Sequence, residues 1–179
     1  MHDAVSADRP KQTPGAASPD APDETSQDAA PEAHQHTRRR WMSVLARAAA
    51  DDLAACLAAN GGIPAYQRLR GPESGLVMVR GRAGGGGAPF NLGEMTVTRC
   101  TVRTAAGQVG HSYVAGRDSR QAELAAVFDA LLQDPARGAA LHDGVIAPLA
   151  AGQAAARATV AQKAATTKVQ FFAMRNMRT

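Results

Sequence analysis

The strongest secondary-structure signals lie in residues 95–134, MTVTRCTVRTAAGQVGHSYVAGRDSRQAELAAVFDALLQD. Residues 95–103 alternate in polarity and are rich in β-branched side chains, which predicts a strand with one buried face. Residues 105–108 predict a turn, and residues 109–115 predict a second strand that returns beside the first. The two strands are therefore expected to pair antiparallel.

A helix is predicted directly after this hairpin. Asp118 is placed to cap its N-terminus, and Gln121 occupies the third helical position of a capping-box-like arrangement. Its large apolar side chains recur at helical spacing and would share one face: Leu124, Val127, Phe128, Leu131 and Leu132. The pattern predicts an amphipathic helix that covers one face of the sheet.

Two further strands are predicted on the N-terminal side, at residues 66–70 and 76–82. Residues 71–75, GPESG, would separate them, and the four glycines at 84–87 would form a loop before the long strand. Together with the hairpin, the sequence predicts an antiparallel meander of four strands.

Helices are predicted at both ends of the domain. Thr37 is placed to cap a first helix, and the acidic pair Asp51 and Asp52 favours the start of a second. After a short helical piece at 141–146, an Ala-rich stretch to about residue 168 has high helix propensity but few large side chains. The predicted class is α+β, with flanking N-terminal helices and a long Ala-rich C-terminal helix.

Residues 1–36 differ in composition from the rest of the chain. They contain only Val5 from the Leu, Ile, Val and Phe set, and they carry seven acids against two bases, a net charge of −5. Such a segment does not bury enough apolar surface to offset chain entropy. We therefore predict a disordered acidic tail over residues 1–36 and one α+β domain over residues 37–179.

The predicted domain is rich in small apolar side chains and in positive charge. Residues 37–179 hold 28 Leu, Ile, Val and Phe against 32 Ala, and Ala contributes little of the ~25 cal/mol per Å² that apolar burial supplies. The same residues carry 18 bases and nine acids, a net charge of +9. This surplus suits phosphate-bearing ligands or an acidic protein face, and a solvated basic surface is the alternative. We expect a domain that depends on a partner surface but, without an aromatic stacking platform, binds no nucleic acid.

The two cysteines exclude the common metal centres from this chain alone. Cys56 and Cys100 lie 44 residues apart, without the paired Cys or His of zinc sites, and an iron–sulfur cluster takes about four thiolates. Burial as small apolar side chains in a reducing cytoplasm is the expected role. No apolar run approaches the ~18 residues of a membrane span, so we expect a cytoplasmic protein that binds no membrane.

Candidate ligands for phosphate or phosphonate lie on the predicted hairpin. Arg99 and Arg103 share one strand face, where guanidinium groups offer paired donors to anionic oxygens, and exposed structural arginines are the alternative. His111 shares a face with Tyr113 and is a candidate for proton transfer, against the alternative of a purely structural histidine. No Ser/His/Asp or Cys/His pattern is readable from the spacing, so no catalytic residue is assigned.

Three further segments have a functional and a structural interpretation. Arg117 would bind an acidic group and Asp118 would orient a ligand, whereas a turn followed by an N-cap is the favoured alternative. Residues 84–87 would present N–H groups to a phosphate, but they lack the GK[ST] ending of a P-loop and suit a flexible connection. The three arginines at 38–40 are interpreted as a solvated helix start, and contact with an acidic neighbour is the alternative.

Taken in order, several segments resemble the PhnG family, the G subunits of the bacterial carbon–phosphorus lyase system for phosphonate use. They are RRRWMSVLARA, LVMVRGRAGGGGAPFNLGEMTVTRCTVR, GHSYVAGRD, AELAAVFDALLQD, and the span from IAPLAA to KVQFFAMR. The resemblance covers residues 37–179 and says nothing of the acidic tail.

The resemblance implies a subunit of a larger enzyme. In that system PhnG, PhnH, PhnI and PhnJ form a core with two copies of each, and PhnK and PhnL associate with it. PhnI, helped by PhnG, PhnH and PhnL, replaces the adenine of ATP with an alkylphosphonate. PhnJ later cleaves the carbon–phosphorus bond with S-adenosylmethionine and an iron–sulfur cluster. The resemblance implies that the chain is a scaffold without a cofactor of its own, in a complex that uses ATP as a substrate. The alternative is that its strand arginines bind phosphate in the active site.

Overall fold

A computed structural model describes residues 25–82 and 87–167, with side chains from residue 34 onward. Within these residues the class is α+β, as predicted, and a π-helical turn at His142–Ile146 joins the last two helices. The elements in chain order are α1 (Thr25–Leu45), α2 (Ala50–Ala59), β1 (Tyr66–Gly81), β2 (Phe90–Thr104), β3 (Val109–Ala115), α3 (Ser119–Leu132), α4 (Gly138–Leu141) and α5 (Ala147–Thr166).

The strands form one antiparallel sheet in the order β1-β2-β3. The predicted hairpin is confirmed: β3 has the expected bounds and pairs with β2 from Val97, opposite Ala115, to Arg103, opposite Val109. Gly107 makes the turn with a φ of +96°, a left-handed conformation that favours glycine. The turn residues therefore set the register of the hairpin.

The prediction of four strands is wrong, because residues 66–70 and 76–81 belong to the single strand β1. The GPESG segment does not reverse the chain. It stays paired with β2, and register shifts within residues 68–73 absorb the extra residues. Gly71 has a φ of +68°, and a Cβ atom there would lie 2.6 Å from the Arg99 carbonyl oxygen. The residues that resemble a turn in the sequence are thus irregularities within a continuous strand.

Helix α3 packs across one face of the sheet, as predicted. Its five predicted apolar side chains are all buried, and they form one core with Cys100, Val102 and Val114 of the strands. The helix comes very close to β3 at Gly110, where a Cβ atom would overlap the Ala126 carbonyl oxygen. The buried face of the sheet is therefore shaped for close contact with α3.

The N-terminal helices complete this core. Trp41, Leu45, Leu53 and Leu57 are buried against it. Helix α2 has the predicted acidic first turn. Helix α1, however, begins at Thr25 rather than at Thr37, so its first turns fall within the segment predicted to be a disordered tail. This extension contains Ala and Gln, which favour a helix, but also Pro31, which disfavours a helix interior, so propensity alone does not account for it. Residues 1–24 lie outside the described part of the chain.

The Ala-rich helix α5 has no buried residue. Its first half is held by Gln153, whose side-chain amide donates a hydrogen bond to the Val44 carbonyl oxygen at 2.9 Å. Residues 154–166 are all exposed. The predicted helix is confirmed to Thr166, and its expected end near residue 168 lies outside the described residues. None of the described helices is long and apolar enough to cross a membrane.

Candidate functional site

The sheet has a second face, opposite α3, that no described helix covers. Along β2, Thr98, Cys100 and Val102 are buried towards α3, and the intervening side chains lie on the other face. We call this second surface the open face. It carries mainly polar side chains: Arg70, Glu73, Arg99, Thr101, Arg103, His111 and Tyr113. Three of the predicted site residues, Arg99, Arg103 and His111, are therefore brought onto one surface.

The pairing of β2 with β3 places the candidate side chains in opposed pairs. Arg99 lies opposite Tyr113, and Thr101 lies opposite His111. The Thr101 hydroxyl oxygen and His111 Nδ1 are 3.1 Å apart and share a hydrogen bond. Among the described residues, no carboxylate hydrogen-bonds to the His111 ring, so the arrangement lacks the oriented base of a catalytic triad. The open face is better suited to binding than to proton transfer.

Arg99 is held by Glu73, a residue that sequence reasoning missed because it lay in the expected turn. Arg99 Nε donates to Glu73 Oε1 at 2.6 Å, and Arg70 Nε donates to the same oxygen at 2.5 Å. The hydrogen bonds from Arg70 and then Arg99 lower the pKa of Glu73. The hydrogen bonds to Glu73 and then Tyr113 raise the pKa of Arg99. Glu73 therefore offsets much of the positive charge on this part of the open face.

Arg103 differs from Arg99 because no described residue forms a hydrogen bond or ion pair with its side chain. The two arginines are four strand residues apart, a backbone separation of about 13 Å. Both side chains would have to bend towards Thr101 to share a single phosphate group. An extended anion lying across Thr101 and His111 would approach both guanidinium groups. Binding to Arg99 would first require its ion pair with Glu73 to break.

Arg117 and Asp118 lie outside the open face, in the turn between β3 and α3. Asp118 Oδ1 accepts a hydrogen bond from the Gln121 backbone N–H at 2.9 Å, which is the structural N-cap interpretation. The Gln121 side chain does not complete a capping box. It donates instead to the carbonyl oxygens of Ala46 and Ala48, at 3.2 and 2.8 Å. Asp118 thus caps α3, and the Gln121 side chain fastens α3 to the segment after α1.

A buried carboxylate in α3 is the second feature that sequence reasoning missed. Asp129 is completely buried and accepts hydrogen bonds from Arg38 Nη2 at 2.7 Å, Trp41 Nε1 at 2.8 Å and the His111 backbone N–H at 2.8 Å. For Arg38 the structure shows the alternative, contact with an acidic neighbour, rather than a solvated side chain, because the buried carboxylate of Asp129 requires a paired charge. A signal was present in the sequence: Asp129 interrupts the apolar face of a helix, one turn before Leu132.

The described residues offer no group of three or more His, Cys, Asp and Glu arranged to hold a metal ion. Cys100 is buried and Cys56 is half-buried, and neither forms a disulfide. Burial raises the pKa of both thiols, and the nearby charges of Asp52 and Glu123 add to the effect at Cys56 and Cys100 respectively. Both cysteines therefore favour the neutral thiol form. Most of the expected glycine loop, residues 84–86, lies outside the described residues, so its phosphate interpretation stays a prediction.

Comparison with known proteins identifies the family. Residues 36–176 match the family model described as "Phosphonate metabolism protein PhnG". The chain belongs to the PhnG family. A relative from Rhizobium meliloti (strain 1021), "Alpha-D-ribose 1-methylphosphonate 5-triphosphate synthase subunit PhnG", is 49% identical over 140 residues, which is 76% of this chain and 87% of the relative. The resemblance read from the sequence is confirmed, and the PhnG match includes both the open face and the Arg38–Asp129 pair.

Proposed function

We propose that this chain is the G subunit of an enzyme that makes α-D-ribose 1-methylphosphonate 5-triphosphate, and that its role there is structural. The observation that carries the proposal is the 49% identity to a relative named as that subunit. In this proposal the chain assembles in the cytoplasm with PhnH, PhnI and PhnJ homologues, two copies of each, and PhnK and PhnL associate. ATP is a substrate of the complex, and adenine displacement by methylphosphonate takes place on the PhnI homologue.

Two features of the fold support a structural role. On the open face the Thr101 hydroxyl hydrogen-bonds to the His111 imidazole, but no described carboxylate orients that ring as a base. Helix α5 extends through residues 154–166 with every side chain exposed, and an isolated helix of about this length is marginal in water even when it is rich in Ala. The chain has the shape expected of a subunit whose apolar surface is completed by its neighbours.

Co-expression tests this function. The full chain is produced with its PhnH, PhnI and PhnJ homologues, with an affinity tag on the PhnI homologue. We expect the chain to be retained with the tagged protein, and the complex to release adenine from ATP when methylphosphonate is added. Omitting the chain should reduce adenine release. A chain that stays monomeric, is absent from the eluate and leaves adenine release unchanged when omitted would contradict the proposal.

A second candidate function is contact with the triphosphate through the open face. Arg103 favours it, because no described residue pairs with its guanidinium group and Thr101 and His111 lie beside it. Arg99 is the weaker ligand of the two, because its guanidinium group already pairs with Glu73. This function would make the chain one wall of the substrate site.

The two functions are separated by charge-removing variants in the assembled complex. Arg103→Ala, alone and with Arg99→Ala, should raise the KM for ATP if the open face binds the triphosphate. Arg117→Ala removes the same charge from outside the face and serves as the matched control. An unchanged KM with intact assembly would assign the face no role in substrate binding and leave the structural proposal in place.

A further inference from the structure

The sheet extends beyond its third strand as a two-stranded arm. β3 ends at Ala115, opposite Val97, whereas β1 and β2 continue to pair from Leu76, opposite Thr96, to Gly81, opposite Phe90. We call residues 75–81 and 90–96 the ribbon arm. A strand covered on one face would show alternating buried and exposed residues, but residues 74–78 and 90–95 are all exposed. The described residues therefore cover neither face of most of the arm.

The exposed side chains of the ribbon arm are largely apolar. Six of them are large hydrophobic residues that are between 39% and 64% exposed: Leu76, Val77, Met78, Phe90, Leu92 and Met95. At about 200 Å² for a fully exposed large side chain, they leave on the order of 600 Å² open to solvent. That amount is comparable with the about 800 Å² that each partner contributes to a standard interface.

The apolar side chains lie on both faces of the ribbon arm. Leu76 and Met78 share one face, and Val77 and its strand partner Met95 share the other. Leu92 extends the second face, since a Cβ atom on Gly81 would overlap its side chain. A two-stranded ribbon is marginally stable in water on its own. A partner that covers both faces must therefore enclose the arm rather than lie flat against it.

Charge distinguishes between the possible occupants. The apolar part of β1 is followed by Arg80 and Arg82, with Glu94 as the one acidic residue in the arm's described residues, and residues 37–179 carry a net charge of +9. A second copy of the chain would bring the same arginines and the same positive surplus to the contact. A different chain with acidic side chains around an apolar cleft would complement both the arm and the domain.

We propose that the ribbon arm inserts into an apolar cleft with an acidic rim on another subunit of the same assembly. This inference rests on the proposed function, in which the chain is a subunit of a larger complex. It adds the surface through which the chain binds its neighbouring subunit. The apolar side chains contribute the affinity, and Arg80 and Arg82 orient the arm at the rim.

Paired substitutions in the co-expressed complex test the insertion. Leu76→Ser with Met78→Ser alters one face of the arm, and Val77→Ser with Met95→Ser alters the other. Each pair should weaken retention by the tagged partner at least about tenfold. Arg80→Glu with Arg82→Glu should weaken it in low salt and less in high salt. Ile63→Ser, which changes an exposed apolar residue outside the arm, is the control and should leave retention unchanged.

A photoreactive side chain at Leu76 provides a second measurement that does not depend on variant stability. Cross-linking to a different subunit, at a peptide rich in apolar and acidic residues, is expected. Cross-linking to a second copy of this chain, or full retention of both paired variants, would overturn the insertion while the assembly itself stands. If the unaltered chain fails to assemble at all, the proposed function fails first, and the two failures are thereby distinguished.

Discussion

Arg38 donates two hydrogen bonds to Asp129, from Nε to Oδ1 at 3.1 Å and from Nη2 to Oδ2 at 2.7 Å, across 91 positions of sequence. The carboxylate is completely buried, whereas the Arg38 side chain is 26% exposed. Arg38 Nη2 also donates to the Val109 carbonyl oxygen at 3.3 Å. This pair therefore fastens α1 to α3 and supplies partners for the Val109 carbonyl and the His111 N–H at the free edge of β3.

Removing the buried carboxylate should destabilise the domain strongly. Asp129→Ala leaves Arg38, the Trp41 indole N–H and the His111 backbone N–H without their acceptor, and we expect a loss of about 3 kcal/mol or more in the free energy of unfolding. Denaturant unfolding of the purified chain measures it. Asp51→Ala is the matched control, because the Asp51–Arg120 ion pair is exposed and such pairs contribute little. Equal effects of the two substitutions would contradict the assigned role of Asp129.

Gly110 should tolerate no larger residue. A Cβ atom there would overlap the Ala126 carbonyl oxygen and lie 2.6 Å from the Ala130 backbone nitrogen, so Gly110→Ala forces α3 away from β3. We expect a loss of at least about 2 kcal/mol or failure to fold. Gly152→Ala, in α5, meets no atom within 4 Å and should stabilise that helix by about 0.5–1 kcal/mol. Thermal unfolding of the two variants should shift in opposite directions.

The two thiols should react slowly with alkylating reagents. Burial raises the pKa of both Cys56 and Cys100, which lowers the fraction of reactive thiolate at neutral pH. Cys100 is only 2% exposed, so Cys56 should be modified first. Mass spectrometry after iodoacetamide treatment near pH 8 would show the order, with the denatured chain as the control. Modification of Cys100 before Cys56 in the folded protein would contradict the described burial.

Alkaline pH should weaken the contact between β1 and α3. The Tyr66 hydroxyl donates to Glu123 Oε1 at 2.7 Å, and burial first, then this hydrogen bond, raises the pKa of the phenol. A raised pKa in the folded state means that the stabilisation is complete below the ordinary value of about 10 and is lost as pH rises through the higher folded value. Tyr66→Phe should be about 1 kcal/mol less stable near pH 8.

The difference between the unaltered chain and Tyr66→Phe should then shrink as pH rises beyond 10. Unfolding measured across this range tests the expectation. Tyr113→Phe removes the other phenol, which is exposed and contacts Arg99 rather than α3, and it tests whether the effect is specific to Tyr66. A constant difference at every pH would show that ionisation of Tyr66 is not coupled to folding.

Local sequence patterns correctly predicted the elements that are stabilised by contacts between residues close in sequence. The alternation at 95–103, the Gly107 turn and the apolar spacing of α3 each act through contacts a few residues apart, and all three appear in the structure. The GPESG segment was wrongly predicted to be a turn between two strands, because glycine is favoured both in turns and in β-bulges. Pairing with β2 decides that this segment forms a bulge rather than a turn. The paired residues are more than 20 positions apart in sequence; Glu73, for example, lies opposite Arg99.

The sequence by itself determined the family, the α+β class, the amphipathic helix that covers the sheet and the shortage of large apolar side chains. Each follows from composition, periodicity or the order of segments, which folding does not alter. The tertiary structure alone decided that Arg99 is paired with Glu73 and that Arg38 is joined to the buried Asp129. It alone brought the exposed apolar residues of β1 and β2 together in the ribbon arm. Those relationships join distant parts of the chain, and only the folded backbone sets the distances between them.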